Sequence, residues 1–348
     1  MTRSPILYSY FVLTSIAAAF ATTSTSAADG ELSATSSGPT LVAEAPAKKE
    51  IPTYDLQYKL SRGDVLRYEV AHHASISGTS DKNTQTAESK TDSIKAWKVT
   101  DVLPTGDIEF MNVCEQVHMM NQLPDLKATE YDSKKDKVAP PGFEEAAKAV
   151  GVPLSTMRIT PHGKVLNRQV KVQNQGSSED APIVLRLPDE KVSIGDTWDE
   201  PFEVTVHVGK DATKSIKTRW HHKLLDVKDG IATIEVTYQV LSPTDAGVEL
   251  ELVQRMMTGQ VQFNIAKGRI QSQKMDVDKR IIGFAGPTSS MQYVMKMEET
   301  LKEEPTTASK TSSKTKSKTQ VTTTHKSSQV PGMASRPEPP DPSKTFRR

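Results

Sequence analysis

The chain has 348 residues, 36% of them hydrophobic and 25% charged, with a formal net charge of +1. Near-neutrality excludes a general electrostatic grip on nucleic acid, and an aromatic share of 5% argues against a carbohydrate-stacking surface. The single cysteine, Cys114, excludes an internal disulfide, so stability must come from core burial.

Residues 1–28 read as a secretory signal: Arg3 gives the positive start, Ile6 to Ala21 an apolar run, and Thr25-Ser26-Ala27-Ala28 a small-residue cleavage region. The run is interrupted by Tyr8, Ser9 and Tyr10 and falls short of the roughly 20 residues that span a bilayer. The expectation is a cleaved leader with no stable membrane span afterwards. No cysteine stands near the cleavage region to carry a lipid. The predicted location is extracytoplasmic, either periplasmic or secreted. Residues 29–52, rich in Ala, Ser, Pro and Thr, read as a disordered spacer.

The next 250 or so residues read as strands. Leu66, Tyr68, Val70 and Ile76 fall on one face of an extended run. A turn at Leu103-Pro104-Thr105-Gly106-Asp107 follows, and another at His162-Gly163. Between them, residues 143–150 read as a short helix, entered through Pro140-Pro141 and stopped by Gly151. In the second half Phe202, Val204, Val206 and Val208 alternate with polar residues, as do Ala232, Ile234, Val236, Tyr238 and Val240. Turns fall at Lys228-Asp229-Gly230 and Lys267-Gly268, and the chain is expected to run from strand to strand through Asp245-Ala246-Gly247 without a helix. Met291, Tyr293, Met295 and Met297 share one last apolar face. Alternation of this kind describes antiparallel sheet with one side packed and one wet.

The halves repeat one another. Gly63-Asp64 and Gly195-Asp196 each precede a strand; Ser93-Ile94-Lys95, Trp97 and Asp101 return as Ser215-Ile216-Lys217, Trp220 and Asp226. Matching the tryptophans requires a two-residue insertion, which preserves strand parity and keeps both on one face. The predicted fold class is therefore mainly β: two tandem related antiparallel units of curved-sheet or half-barrel type, over 53–180 and 181–301, with one short helix. Residues 302–348 read as a disordered basic tail of Lys, Ser, Thr and Pro. Lys310, Lys314, Lys316, Lys318 and Lys326 in it are candidates for salt-sensitive contact with an anionic envelope polymer.

Chemistry is sparse. His72-His73 and His221-His222 are adjacent pairs, but neighbours on a strand point to opposite faces and cannot chelate one ion together. A site taking one histidine from each pair, with an acid such as Asp226, is the metal-dependent hydrolase alternative. Cys114 lies in an apolar strand and reads as a buried, inert thiol. Asp101 and Asp226 precede tight turns, where aspartate bonds its own backbone. The many methionines, with His118-Met119 among them, suit core packing, an apolar cavity or, through soft sulfur, copper. No nucleophile elbow, phosphate loop or metalloprotease motif is present. No catalytic residue, cofactor or metal is predicted.

The stretch Leu187-Pro188-Asp189-Glu190-Lys191-Val192-Ser193-Ile194-Gly195-Asp196-Thr197-Trp198, with Gly259-Gln260-Val261-Gln262-Phe263-Asn264 through Lys267-Gly268-Arg269-Ile270, resembles uncharacterised secreted proteins of planctomycete-type bacteria over residues 54–300. That resemblance implies export and a β architecture. In pattern the chain is also similar to the half-barrel lipoprotein carriers of the periplasm, whose curved sheet cups an acyl chain. The expectation is a non-enzymatic exported binding or scaffolding protein for a lipid-like molecule. Trp97, Trp220, Tyr238, Tyr293, Met295 and Met297 are its predicted lining. The other alternative is a structural envelope protein held by its tail.

Overall fold

The computed structural model describes residues 51–81, 83–172, 183–208 and 212–302. The expected leader, the spacer as far as residue 50 and the tail from residue 303, with the five candidate lysines Lys310, Lys314, Lys316, Lys318 and Lys326, lie outside the described residues.

The first half contains β1 (Val65–Ser80), β2 (Asn83–Val102), β3 (Ile108–Gln122) and β4 (Thr129–Asp132), then α1 (Glu144–Ala149), β5 (Pro153–Ile159) and β6 (Val165–Val170). The second contains β7 (Thr197–Val208), β8 (Ala212–Lys228) and β9 (Ile231–Val240), then α2 (Ala246–Leu252), β10 (Thr258–Asn264), β11 (Arg269–Ile282) and β12 (Ser290–Leu301). The fold is mainly β, as the alternation requires. Helix α1 falls where Ala- and Glu-rich residues stand between Pro140-Pro141 and Gly151. Helix α2 corrects the sequence expectation of one helix. Asp245 caps it by accepting from the Val248 N–H, and Val248 and Leu252 are its buried positions. Seven residues give too little periodicity to register against the surrounding strands.

The two halves share one antiparallel sheet in the order β6-β5-β3-β2-β1-β12-β11-β10-β9-β8-β7, with β4 beside β3. The chain meanders outward from β1 to one edge, crosses, and meanders back from the other edge to β12. There β12 closes against β1, from Tyr68 opposite Leu301 to Thr79 opposite Ser290.

This sheet is curled. Tyr58 packs its ring against Trp97 of β2 (6.1 Å) and Phe263 of β10 (5.5 Å). Four strand spacings separate β2 from β10, roughly 19 Å along a flat sheet. One face must therefore turn inward, and the buried side chains of β1, β2, β3 and β5 join those of β8 to β11 in one core. Gly259 allows a close approach inside the curl: a Cβ there would stand 2.0 Å from the Lys274 carbonyl and 2.8 Å from the Met275 Cα.

The repeat is visible in hydrogen bonds. Gly63 donates to the Val99 carbonyl and Val99 to that of Asp64; Gly195 donates to Leu224 and Leu224 to Asp196. The ladder then slips between Val99 and Asp101, and again between Leu224 and Asp226. Asp101 thus matches Asp226 with no insertion. The expected tryptophan match is corrected: Trp97, opposite Leu66, takes the place of His222, opposite Trp198, while Trp220 takes that of Lys95. The similar Ser-Ile-Lys triplets lie three residues out of register. Both tryptophans still face inward, because the corrected offset is also even.

Two lead-in segments fill the curl. Residues 54–60 enter before β1, and consecutive amides reach opposite arms: Tyr58 N–H bonds the Pro161 carbonyl (2.7 Å) and Lys59 N–H that of Gly268 (3.0 Å). Residues 183–192 enter before β7, with Leu187 bonded to His162 (2.8 Å). Tyr54 and Val192 exchange both backbone bonds, so the two lead-ins meet. These contacts explain the turn glycines. A Cβ on Gly268 would fall 2.3 Å from Lys59 N, and one on Gly163 would fall 2.4 Å from Leu185 O.

Candidate ligand-binding face

All six predicted lining residues project from the inner face, and the structure divides them. Trp97 is sealed in the main core, stacked on Phe110 at 4.6 Å and flanked by Tyr58 and Tyr68. Trp220 and Tyr238 meet edge to face at 5.1 Å, and Tyr238 meets Phe202 at 5.9 Å. These three aromatic residues pack protein against protein. Tyr58 tightens the seal: its hydroxyl donates to the Leu185 carbonyl and accepts from the Leu185 N–H, each at 3.2 Å. Burial holds its pKa well above the usual tyrosine value.

Farther along the strands the inner face leaves the reach of the lead-ins. Here Tyr293 and Met295 join Ala74, Val277, Ile281 and Met291 in a second apolar cluster. Half-buried Ile76, Met257 and Met297 pack on it, and Met297 also touches the main core. Helix α2 and the 3-10 turn Val253–Arg255 cover part of this end, through Val248 and Leu252 against β7 and β8 and Val253 against β11 and β12. Helix α1 covers another part, with Phe143 and Ala149 over Cys114, Val117 and Met119. Tyr293 lies deep, and burial lifts its pKa to about 12. Met257 packs on this cluster and on the main core, Met275 is buried in the main core and Met256 packs against it, and none of the three is among the predicted lining residues. Met275 alternates inward with Val277 and Ile281 on β11, opposite Gly259, whereas Met257 lies outside the strands and is brought here by the Tyr238 N–H bonding its carbonyl.

The candidate ionisable groups are dispersed. His72 on β1 and His222 on β8 have β12, β11, β10 and β9 between them. Burial lowers each to about 4, with Lys95 adding to the effect at His72. His222 lies parallel to the Trp198 indole, 5.3 Å between ring centroids, and Trp198 Nε1 donates to the Arg186 carbonyl (2.8 Å). His221 points to the outer face, where its Nδ1 lies 2.6 Å from Asp199, which Arg219 also pairs at 2.7 Å. Asp101 and Asp226 each accept from the next residue's N–H, at 3.0 and 2.8 Å. Asp64 and Asp196 likewise close their own turns on Ser61 and Ser193. Cys114 is buried, and burial raises its thiol pKa. Among the described residues no three His, Cys, Asp or Glu side chains stand together as a metal ligand set. On the outer face a groove of about 470 Å³ beside β4 is bordered by Glu69, Asp92, His118, Asp132 and Glu298. Among the described residues no helix is long and apolar enough to cross a membrane.

No protein-family model and no curated protein matches this chain. Among solved structures, one described as showing lipid–protein interactions in lipovitellin is similar, with 12% sequence identity and a TM-score of 0.40. The match covers 70% of this chain and 26% of that one, so the chain spans about a quarter of that protein's length.

Proposed function

We propose that the protein is an exported, non-enzymatic binding protein that holds an elongated apolar, lipid-like molecule on the inner face of its sheet. The observation that carries this reading is a methionine-rich inner face beyond the lead-ins, where Met297, Met257 and Ile76 stay half-buried beside Met295 and Tyr293. Unbranched thioether side chains adapt to guests of varied shape, and they present polarisable surface without demanding a hydrogen bond. The sealed aromatic end makes the other end of the curl the binding region. Trp97, Trp220 and Tyr238 then serve as its rigid wall, and Tyr293, Met295 and Met297 as contact residues. Export and kinship with secreted planctomycete-type proteins belong to the same proposal.

Organic extraction of the purified protein followed by mass spectrometry tests it. The expected result is a recurring amphiphile in near-stoichiometric yield. Repeated clean extracts, together with no fluorescence gain from an added long-chain apolar probe, would remove the reading.

A further inference from the structure

The inner face carries a polar pair that its pattern does not call for. Asn112 on β3 and Ser155 on β5 stand directly opposite one another, 6% and 2% exposed. Their flanking partners are Trp97 on β2 and Val170 on β6. Phe110 and Met157 lie to one side in the main core, and Cys114 and Leu154 to the other in the cluster under α1. The pair occupies the seam between two apolar clusters. Asn112 Oδ1 and Ser155 Oγ are both fully buried, and neither has a hydrogen-bond partner among the described residues. An unsatisfied buried oxygen destabilises the fold, where valine or alanine would leave nothing unsatisfied.

The ladder breaks beside them. Register slips between Asn112 and Val113, and the next residue across is Pro153, which has no N–H to donate. A carboxamide oxygen accepts only, and a serine oxygen accepts or donates. The missing partner must therefore bring at least one donor hydrogen to Asn112 and be small enough for a closed seam. Water meets both requirements and is the usual occupant of buried polar sites with two or more partners.

We infer that Asn112 and Ser155 together bind one internal water molecule, which bridges β3 to β5 where the backbone ladder is interrupted. This site is independent of the proposed ligand face and stands whether or not a lipid binds.

A crystal structure of the protein that resolves ordered solvent tests the site. The expected result is one water within about 2.7–3.2 Å of both Asn112 Oδ1 and Ser155 Oγ. A direct amide–hydroxyl bond with no solvent peak overturns it. Mutational coupling is a second arm. Asn112→Leu and Ser155→Ala singly each leave the other oxygen and the water half-satisfied, whereas the double variant removes the need for both. The double variant should unfold about tenfold less readily than the two single effects combined would give. Additivity within about twofold contradicts the bridge. If a single variant does not fold, the solvent peak in the unaltered protein decides alone.

Discussion

Removing Tyr58 should open the sealed end of the curl. Its side chain is 3% exposed and lies between Trp97 on one arm and Phe263 on the other. Its hydroxyl satisfies both backbone groups of Leu185 in the second lead-in. Truncating a buried aromatic residue to alanine costs about 3–5 kcal/mol through lost burial and the cavity left behind. Tyr58→Phe keeps the ring but strands the Leu185 N–H and carbonyl, which costs about 1–3 kcal/mol. The two variants therefore separate packing from hydrogen bonding, and the alanine variant must be the worse. Urea unfolding followed by tryptophan fluorescence gives both numbers, since Trp97 lies against the altered ring. Below its transition the alanine variant should also bind more of an apolar probe, because a wall of the curl is missing. A cost under about 1 kcal/mol for Tyr58→Ala would refute the claim that the lead-in closes the curl.

Gly268→Ala should destabilise by at least about 1 kcal/mol, because it places a Cβ 2.3 Å from Lys59 N at a positive φ of 57°; a thermal melt unchanged from the parent would contradict the docking of lead-in on turn. The pH dependence has a definite sign. His222 is held at about 4 against a usual 6.5, mainly by burial, so the unfolded chain takes up the proton first. Its stabilising effect is full above about pH 6.5 and is lost as pH falls towards 4, by at most about 3 kcal/mol. His222→Phe preserves the stack on Trp198 and should lose less stability between pH 7 and 4.5 than the parent, as read from urea midpoints; parallel losses would show that His222 does not titrate as described. His72, lowered to the same level by burial and then by Lys95, should act in the same direction.

Much of this architecture is legible in the residues, for physical reasons that differ from place to place. The alternation of Ala232, Ile234, Val236 and Tyr238 reports a half-buried strand because side-chain direction has period two, and those four positions are buried. Inward orientation of Trp97 and Trp220 also follows from parity. Their alignment does not, because the match is fixed by two ladder slips, at Thr100 and Leu225, that leave no mark in side-chain pattern. Helix α2 escapes notice because it is seven residues long and its cap, Asp245, reads equally well as a turn residue. Nor does local sequence show that Leu56, Tyr58, Leu185 and Leu187 are core residues: they belong to extended segments outside the strands and are buried by partners distant in the chain, as Tyr58 and Leu185 are, 127 residues apart. The glycines at 163 and 268 are visible as turns, but their necessity comes from the segments that dock on them.

The central claim is that the methionine-lined inner face, beyond the lead-ins, receives an apolar guest. Titration of a fluorescent long-chain fatty-acid probe into the parent protein and into Met297→Lys tests it most directly. Met297 is half-buried and touches both the main core and the second cluster, so lysine there places a charge on the proposed contact surface while its stem can still lie along it. The expected result is saturable binding by the parent and at least about tenfold weaker binding by the variant, with both proteins folded alike by circular dichroism. Equal affinity in the two, or no saturable binding by the parent, would contradict it.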